Sequence, residues 1–114
     1  MRITSIMSGL MLGLMSTAAQ ADWLQLDDTG IAQALTDRSY AYENGATQQF
    51  YASGRTRYTG PEPSWGYWRA EGGQYCSQWP PAEAWDCYDL FADEAGVLRW
   101  VDAYGNSTQG VPLP

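Results

Sequence analysis

The hydrophobic pattern of this chain changes period twice. From Ile3 to about Met15 the apolar residues run together without period, interrupted by Gly9, Gly13 and serines. Around Ile31 they recur at i, i+3 and i+4 (Ile31, Ala34, Leu35), the spacing that gathers side chains on one side of a helix. The segment "LQLDDTGIAQALTDRS" therefore predicts a short helix, with Asp27, Asp28 or Thr29 available to cap its first turn. A helix of about two turns is not stable alone, so it must dock on something larger.

From Ser39 onward the period is two. Short runs rich in Tyr, Trp, Phe, Thr and Val ("SYAYE", "TQQFYAS", "RTRYT", "WGYWRAE", "QYCSQW", "WDCYDLF", "VLRWVDA", "STQGV") alternate with "NGA", "SGR", "GPEPS", "GG", "PPAEA", "ADEAG" and "YGN". Short strands at this spacing, with glycine in the turns, predict an all-β antiparallel meander of six to eight strands. It would curl into a small barrel or form a strongly twisted sheet. "EGGQ" is the best-defined hairpin, because Gly72 and Gly73 tolerate the positive φ of a two-residue turn. Its register sets Ala70 opposite Tyr75 and Trp68 opposite Ser77. With Tyr88 and Leu90 on the next strand, Trp68, Ala70 and Tyr75 form the expected core stripe. Tyr67, Arg69, Cys76, Trp85 and Cys87 then belong to the other face. The tail "GVPLP" reads as a fray or an edge cover.

The aperiodic start has its own meaning. Arg2, the apolar run and the small-x-small end Ala19-Gln20-Ala21 have the layout of a secretory signal peptide cleaved before Asp22. The apolar run falls short of the ~20 residues that span a bilayer. The expected organisation is thus a leader, 1–21, and one small β domain, 22–114, in the periplasm or secreted. No membrane span is expected to be left after cleavage.

Charge and composition narrow the chemistry. The chain has 6 basic residues against 13 acidic ones and a net charge of −7. Arg2 is the leader's one charged residue, so its loss moves the balance to −8. That sign argues against nucleic acid, whose phosphates call for clusters of Lys and Arg. There is no histidine, and all 4 methionines lie in the leader. Nucleophilic catalysis lacks its usual base, and neither a G-x-S-x-G elbow nor a G-x-G-x-x-G nucleotide turn occurs. Asp86, Asp89, Asp93 and Glu94 crowd together, but too closely and with the wrong ending for a calcium loop, and read as a solvated turn. No catalytic residue, metal site or cofactor is expected.

Two features remain. Cys76 and Cys87, on neighbouring strands in an exported chain, read as a structural disulfide. Closing a loop of about twelve residues stabilises the fold by about 3 kcal/mol in the chain-entropy account. The other is the aromatic content, 6 Trp, 8 Tyr and 2 Phe. Large rings fill a small core efficiently. They also make recognition faces, and Trp79 and Trp85, flanking Pro80-Pro81, are the candidates for that role. Arg55 and Arg69 are the candidate polar partners.

The string "FYASGRTRYTG…SWGYWRAEGGQYCSQWPP…WDCYDLF" resembles a group of small exported bacterial proteins of unassigned function. The resemblance is carried by Phe50, Ser53 to Thr56, Tyr58, Gly60, Ser64 to Trp68, Tyr75-Cys76, Trp85 and Cys87-Tyr88. Some members of that group carry a reductase-type description (dihydrodipicolinate reductase). More loosely, the chain is similar to lipocalin-like small barrels, in which a G-x-W run precedes disulfide-bearing strands. The expected role is a non-enzymatic binding or interaction module of the cell envelope, with a small molecule, a glycan or an envelope protein as partner. The alternative is a small enzyme using carboxylates with Arg55 or Arg69 at a barrel mouth.

Overall fold

Residues 22–114 are described by the computed structural model, and the expected leader, 1–21, lies outside them. Nearly every period-two run forms a strand where the pattern places it: β2 (Arg38–Tyr42), β3 (Thr47–Phe50), β4 (Arg55–Thr59), β5 (Pro63–Glu71), β6 (Gln74–Gln78), β7 (Trp85–Ala92), β8 (Leu98–Val101) and β9 (Ser107–Pro112). Each pairs antiparallel with the next, and β9 pairs back onto β2, so these eight strands close into a meander barrel. Closure removes the exposed edges that an open sheet would present.

The "EGGQ" turn is as expected. Gly72 and Gly73 have φ of 63° and 81°, and Glu71 faces Gln74. Ala70 lies opposite Tyr75, Trp68 opposite Ser77, and Tyr75 opposite Tyr88. Trp68, Tyr75 and Leu90 of the expected stripe are buried, with Ala70 and Tyr88 packed against them. Cys76 and Cys87 face each other across β6 and β7 with Cα atoms 4.0 Å apart, joined as a disulfide. Asp93 caps the β7–β8 turn by accepting from the main-chain N–H groups of Ala95 and Val97. Asp102 does the same for Tyr104 and Asn106 in the β8–β9 turn.

Three local expectations need correction. The tail is neither a fray nor an edge cover but part of the closing strand: Val111 pairs with Ala41 and Pro112 with Tyr40, and the Leu113 N–H donates to the Ser39 carbonyl. Pro112 is tolerated because it lies beyond the last residue of β9 that pairs with β8, Gly110. Next, "GPEPS" is not all turn, since Pro63 and Ser64 already pair with Thr59 and Tyr58. Finally, Leu24–Gln25 precede the helix as a two-residue strand, β1, on Ala92 and Phe91. There β1 takes up the edge of β7 beyond the stretch that β6 covers, satisfying main-chain groups that would otherwise be left open. The Arg99 guanidinium lies 4.3 Å from the ring centre of Trp23, holding this segment to the outside of β8.

The helix, α1 (Asp28–Leu35), is capped by Asp27, whose carboxylate accepts the Gly30 N–H at 2.8 Å. It packs on β2, β5 and β6. Asp28 accepts the Gly73 N–H at 2.7 Å, and the Tyr40 hydroxyl donates to the Ala34 carbonyl, so both sides of the helix are tied to the barrel rim. Ile31 and Leu35 are fully buried. They plug one end above Phe50, Leu90 and Leu98. Phe50 makes edge contacts with Trp68 and Tyr75, and the Trp68 indole N–H is satisfied by the Tyr51 carbonyl. Among the described residues no helix is long and apolar enough to cross a membrane.

Candidate functional site

The end of the barrel away from α1 is not plugged. Inward residues from six strands face that end: Tyr42 on β2, Gln48 on β3, Tyr58 on β4, Tyr75 and Ser77 on β6, Tyr88 on β7 and Trp100 on β8. Together they line a cavity of about 360 Å³. That is within the range of small-ligand sites.

Two glycines shape its walls. A side chain at Gly66 would come within 2.6 Å of both the Gln78 carbonyl and the Trp79 ring, so only glycine lets Trp79 lie against β5. The indole is held there by its N–H, which donates to Ser77 Oγ at 3.2 Å, and by an edge contact with Tyr58. Gly110 leaves room in the same way for Trp100 and Tyr42, whose ring centres are 5.3 Å apart. Tyr42 also stacks on Tyr58. The result is an aromatic wall on several sides of an open space.

The floor is polar and tied together. Gln48, buried, donates through Nε2 to Thr56 Oγ1 at 2.9 Å and to the Tyr75 hydroxyl at 3.5 Å. Its Oε1 accepts the Tyr42 hydroxyl at 2.6 Å. Nearer the mouth, Asn44 donates to the Tyr58 hydroxyl at 3.2 Å.

Three of the lining phenols, Tyr42, Tyr75 and Tyr88, resist ionisation. Burial, reinforced by neighbouring phenols, pushes Tyr42 far above its ordinary value. Burial also raises Tyr75, and the nearby Ser77 hydroxyl and Gln48 amide only partly offset it, leaving it pushed up to about 12. Tyr88 is raised by burial and by the negative charge of Asp86 and Asp102. At neutral pH the lining is uncharged, for no carboxylate or guanidinium is among the residues that line the cavity.

The residues expected to form a site divide between two places. Trp79 is half-buried and forms part of the cavity wall. Trp85, Arg55 and Arg69 stand on the outside of the barrel. There the Arg69 guanidinium lies 3.9 Å from the Trp85 ring centre and its Nε pairs with Glu71 at 2.6 Å. Arg55 sits 4.3 Å from the ring centre of Trp65, with Arg57 on the same ring at 5.3 Å. The barrel wall separates these arginines from Trp79, so the four residues do not make one site.

The acidic cluster is also dispersed. Asp89 accepts from Gln74, Asp93 caps a turn, and Asp86 is exposed on the strand end opposite Ser77. Among the described residues no group of three or more His, Cys, Asp or Glu is arranged to hold a metal ion. A wider hollow of about 620 Å³ lies outside the barrel, between α1, the β3–β4 turn and the end of β5. It is a shallow, open surface depression.

Tyr42, Gln48, Tyr58 and Trp100 were missed as site residues. Two signals pointed toward them. Gln48 alternates with Phe50 in "TQQF", a polar side chain at an inward position. Gly66 and Gly110 interrupt strands, which marks a close approach by another group. Compared with protein-family models, curated proteins and solved structures, the chain matches none.

Proposed function

We propose that this protein is an exported, non-enzymatic binding module that takes a small uncharged ligand with a flat face into the open end of its barrel. The observation that carries the reading is the cavity itself: tyrosine and tryptophan walls around neutral hydroxyl and amide groups, with no charged side chain in the lining. An anionic ligand would lose its hydration there without gaining a counter-ion. A flat neutral ligand would exchange water for ring contacts and hydrogen bonds. The likeness to lipocalin-like barrels points the same way, as a fold-level analogy. An enzymatic alternative has less to draw on, since Arg55 and Arg69 lie outside the barrel. Export is supported by the leader pattern and by a disulfide of the kind that persists in oxidising compartments.

Native mass spectrometry of protein recovered from the periplasm or medium tests both parts. The expected species begins at Asp22 and carries a small non-covalent adduct that Trp79→Ala loses. Recovery of soluble protein that retains Met1 to Ala21 would overturn export. An adduct unaffected by Trp79→Ala would move the binding site away from the barrel mouth, and binding by an envelope protein or long glycan at the outer arginine–tryptophan face would then take its place.

A further inference from the structure

The hydrogen bonds at the cavity floor have a direction, and that direction specifies what a ligand must present. The chain of bonds starts at a group that only accepts, the main-chain carbonyl of Gln49. Thr56 Oγ1 lies 2.7 Å from it and therefore donates its single proton there. Toward Gln48, Thr56 is then an acceptor, so the Gln48 atom 2.9 Å away is the amide nitrogen. That orients the carboxamide with Oε1 toward Tyr42, whose hydroxyl must donate. The proton of Tyr42 is thereby used, and its oxygen has lone pairs left to accept.

On the other side of Gln48 the polarity is reversed. The second N–H of Nε2 points to the Tyr75 oxygen, which accepts. Ser77 Oγ accepts the indole N–H of Trp79, a group that only donates. Tyr75 and Ser77 accept these bonds without spending their own hydroxyl protons, which are left for the cavity that both residues line. The floor thus offers an acceptor at Tyr42 and a donor at the Tyr75–Ser77 pair, one on each side of a buried carboxamide.

Resting on the binding reading above, we infer that the cavity recognises a flat, uncharged ring bearing a carboxamide or lactam. The ligand's N–H goes to the Tyr42 oxygen and its C=O to a Tyr75 or Ser77 hydroxyl, an amide of opposite polarity to that of Gln48 on the far side of the two tyrosines. A diol is less well specified, because each hydroxyl both donates and accepts and so fits either polarity. A carboxylate offers no N–H to Tyr42 and brings a charge that nothing in the lining neutralises.

The test is titration of the protein from Asp22 to Pro114 with benzamide, N,N-dimethylbenzamide and methyl benzoate, followed by calorimetry and tryptophan fluorescence. All three have the same ring and a carbonyl, and only benzamide has an N–H. Benzamide is expected to bind about tenfold more tightly than either analogue, the effect of one hydrogen bond that the analogues leave unmade. Tyr42→Phe should shrink the gap between benzamide and its analogues to less than threefold. Equal binding of the three by the unaltered protein would overturn the amide inference while leaving a binding cavity. Binding of none of them would overturn the cavity reading together with it. The comparison among ligands needs no variant, so it decides the matter even if Tyr42→Phe fails to fold.

Discussion

At the end of the barrel beneath α1, Phe50 meets Trp68 and Tyr75 edge-on while Ile31 and Leu35 fill the remaining space. At the opposite end, Tyr42, Tyr58, Trp79 and Trp100 stand around about 360 Å³ that no side chain fills. The two ends are built from the same residue types on the same strands. The difference is the helix, which supplies aliphatic side chains to one end, whereas the other has Gln48, Ser77 and Tyr75 at its floor. An excess of aromatic residues therefore does not by itself separate core from recognition face. Here the same excess serves both, and the ring's height in the barrel decides which.

Truncation should separate the ends most clearly. Phe50→Ala is expected to cost about 3–5 kcal/mol, as for other buried rings. Trp79→Ala, at a half-buried position facing open space, should cost no more than about 1–2 kcal/mol, the level of an ordinary destabilising substitution. Urea denaturation measures both, and equal losses would erase the distinction between the ends. The disulfide comes next, because it ties β6 to β7 on the outer face without entering either end. Replacing Cys76 and Cys87 by serine should lower stability by roughly 2–4 kcal/mol. Ligand binding should persist below the lowered Tm, and its loss under folded conditions would show that the bond shapes the cavity.

Alkaline pH probes the polar floor. An unfolded chain ionises Tyr75 at its ordinary value of 10.0, whereas in the folded protein it is pushed up to about 12. The folded state thus holds a proton that the unfolded state has lost. Stability should be whole below pH 10 and fall as the pH rises toward 12, by about 2–3 kcal/mol. Tyr75→Phe should flatten that part of the profile in pH-dependent denaturation, and an unchanged profile would assign the loss to other phenols. Gly66→Ala is expected to cost about 1–3 kcal/mol from overpacking against Gln78 and Trp79. Its sharper signature is displacement of the Trp79 ring, read as increased quenching of tryptophan fluorescence by acrylamide. Unaltered quenching would mean that the wall yields without moving the ring.

Much of this architecture is legible in the chain because it depends on neighbours in sequence. The "EGGQ" turn sets Trp68, Ala70 and Tyr75 in register, and the next strand brings Cys87 opposite Cys76, all within one three-stranded stretch. Helix capping at Asp27 and the Ile31–Leu35 face are likewise local. The site was less legible. Trp79 was identified as a candidate, but it was grouped with Trp85, Arg55 and Arg69, which the wall places outside. Alternation assigns each residue to one face of a sheet, but "QWPPAEAW" is a loop in sequence, and nothing local says that Trp79 turns inward against Gly66.

The sequence by itself determined the strands, their turns, the hairpin registers and the cysteine pair, because each follows from side-chain alternation, turn chemistry and short loop closure. Tertiary structure alone decided that β9 closes on β2, that α1 seals one end and leaves the other open, and that Gln48 orients Tyr42 and Tyr75 in opposite senses. Those outcomes depend on residues far apart in the chain. Gly110 meets Tyr42 and Gln48 meets Tyr75 only after the sheet has curled through its full turn, so no window of sequence contains the contact that defines the cavity.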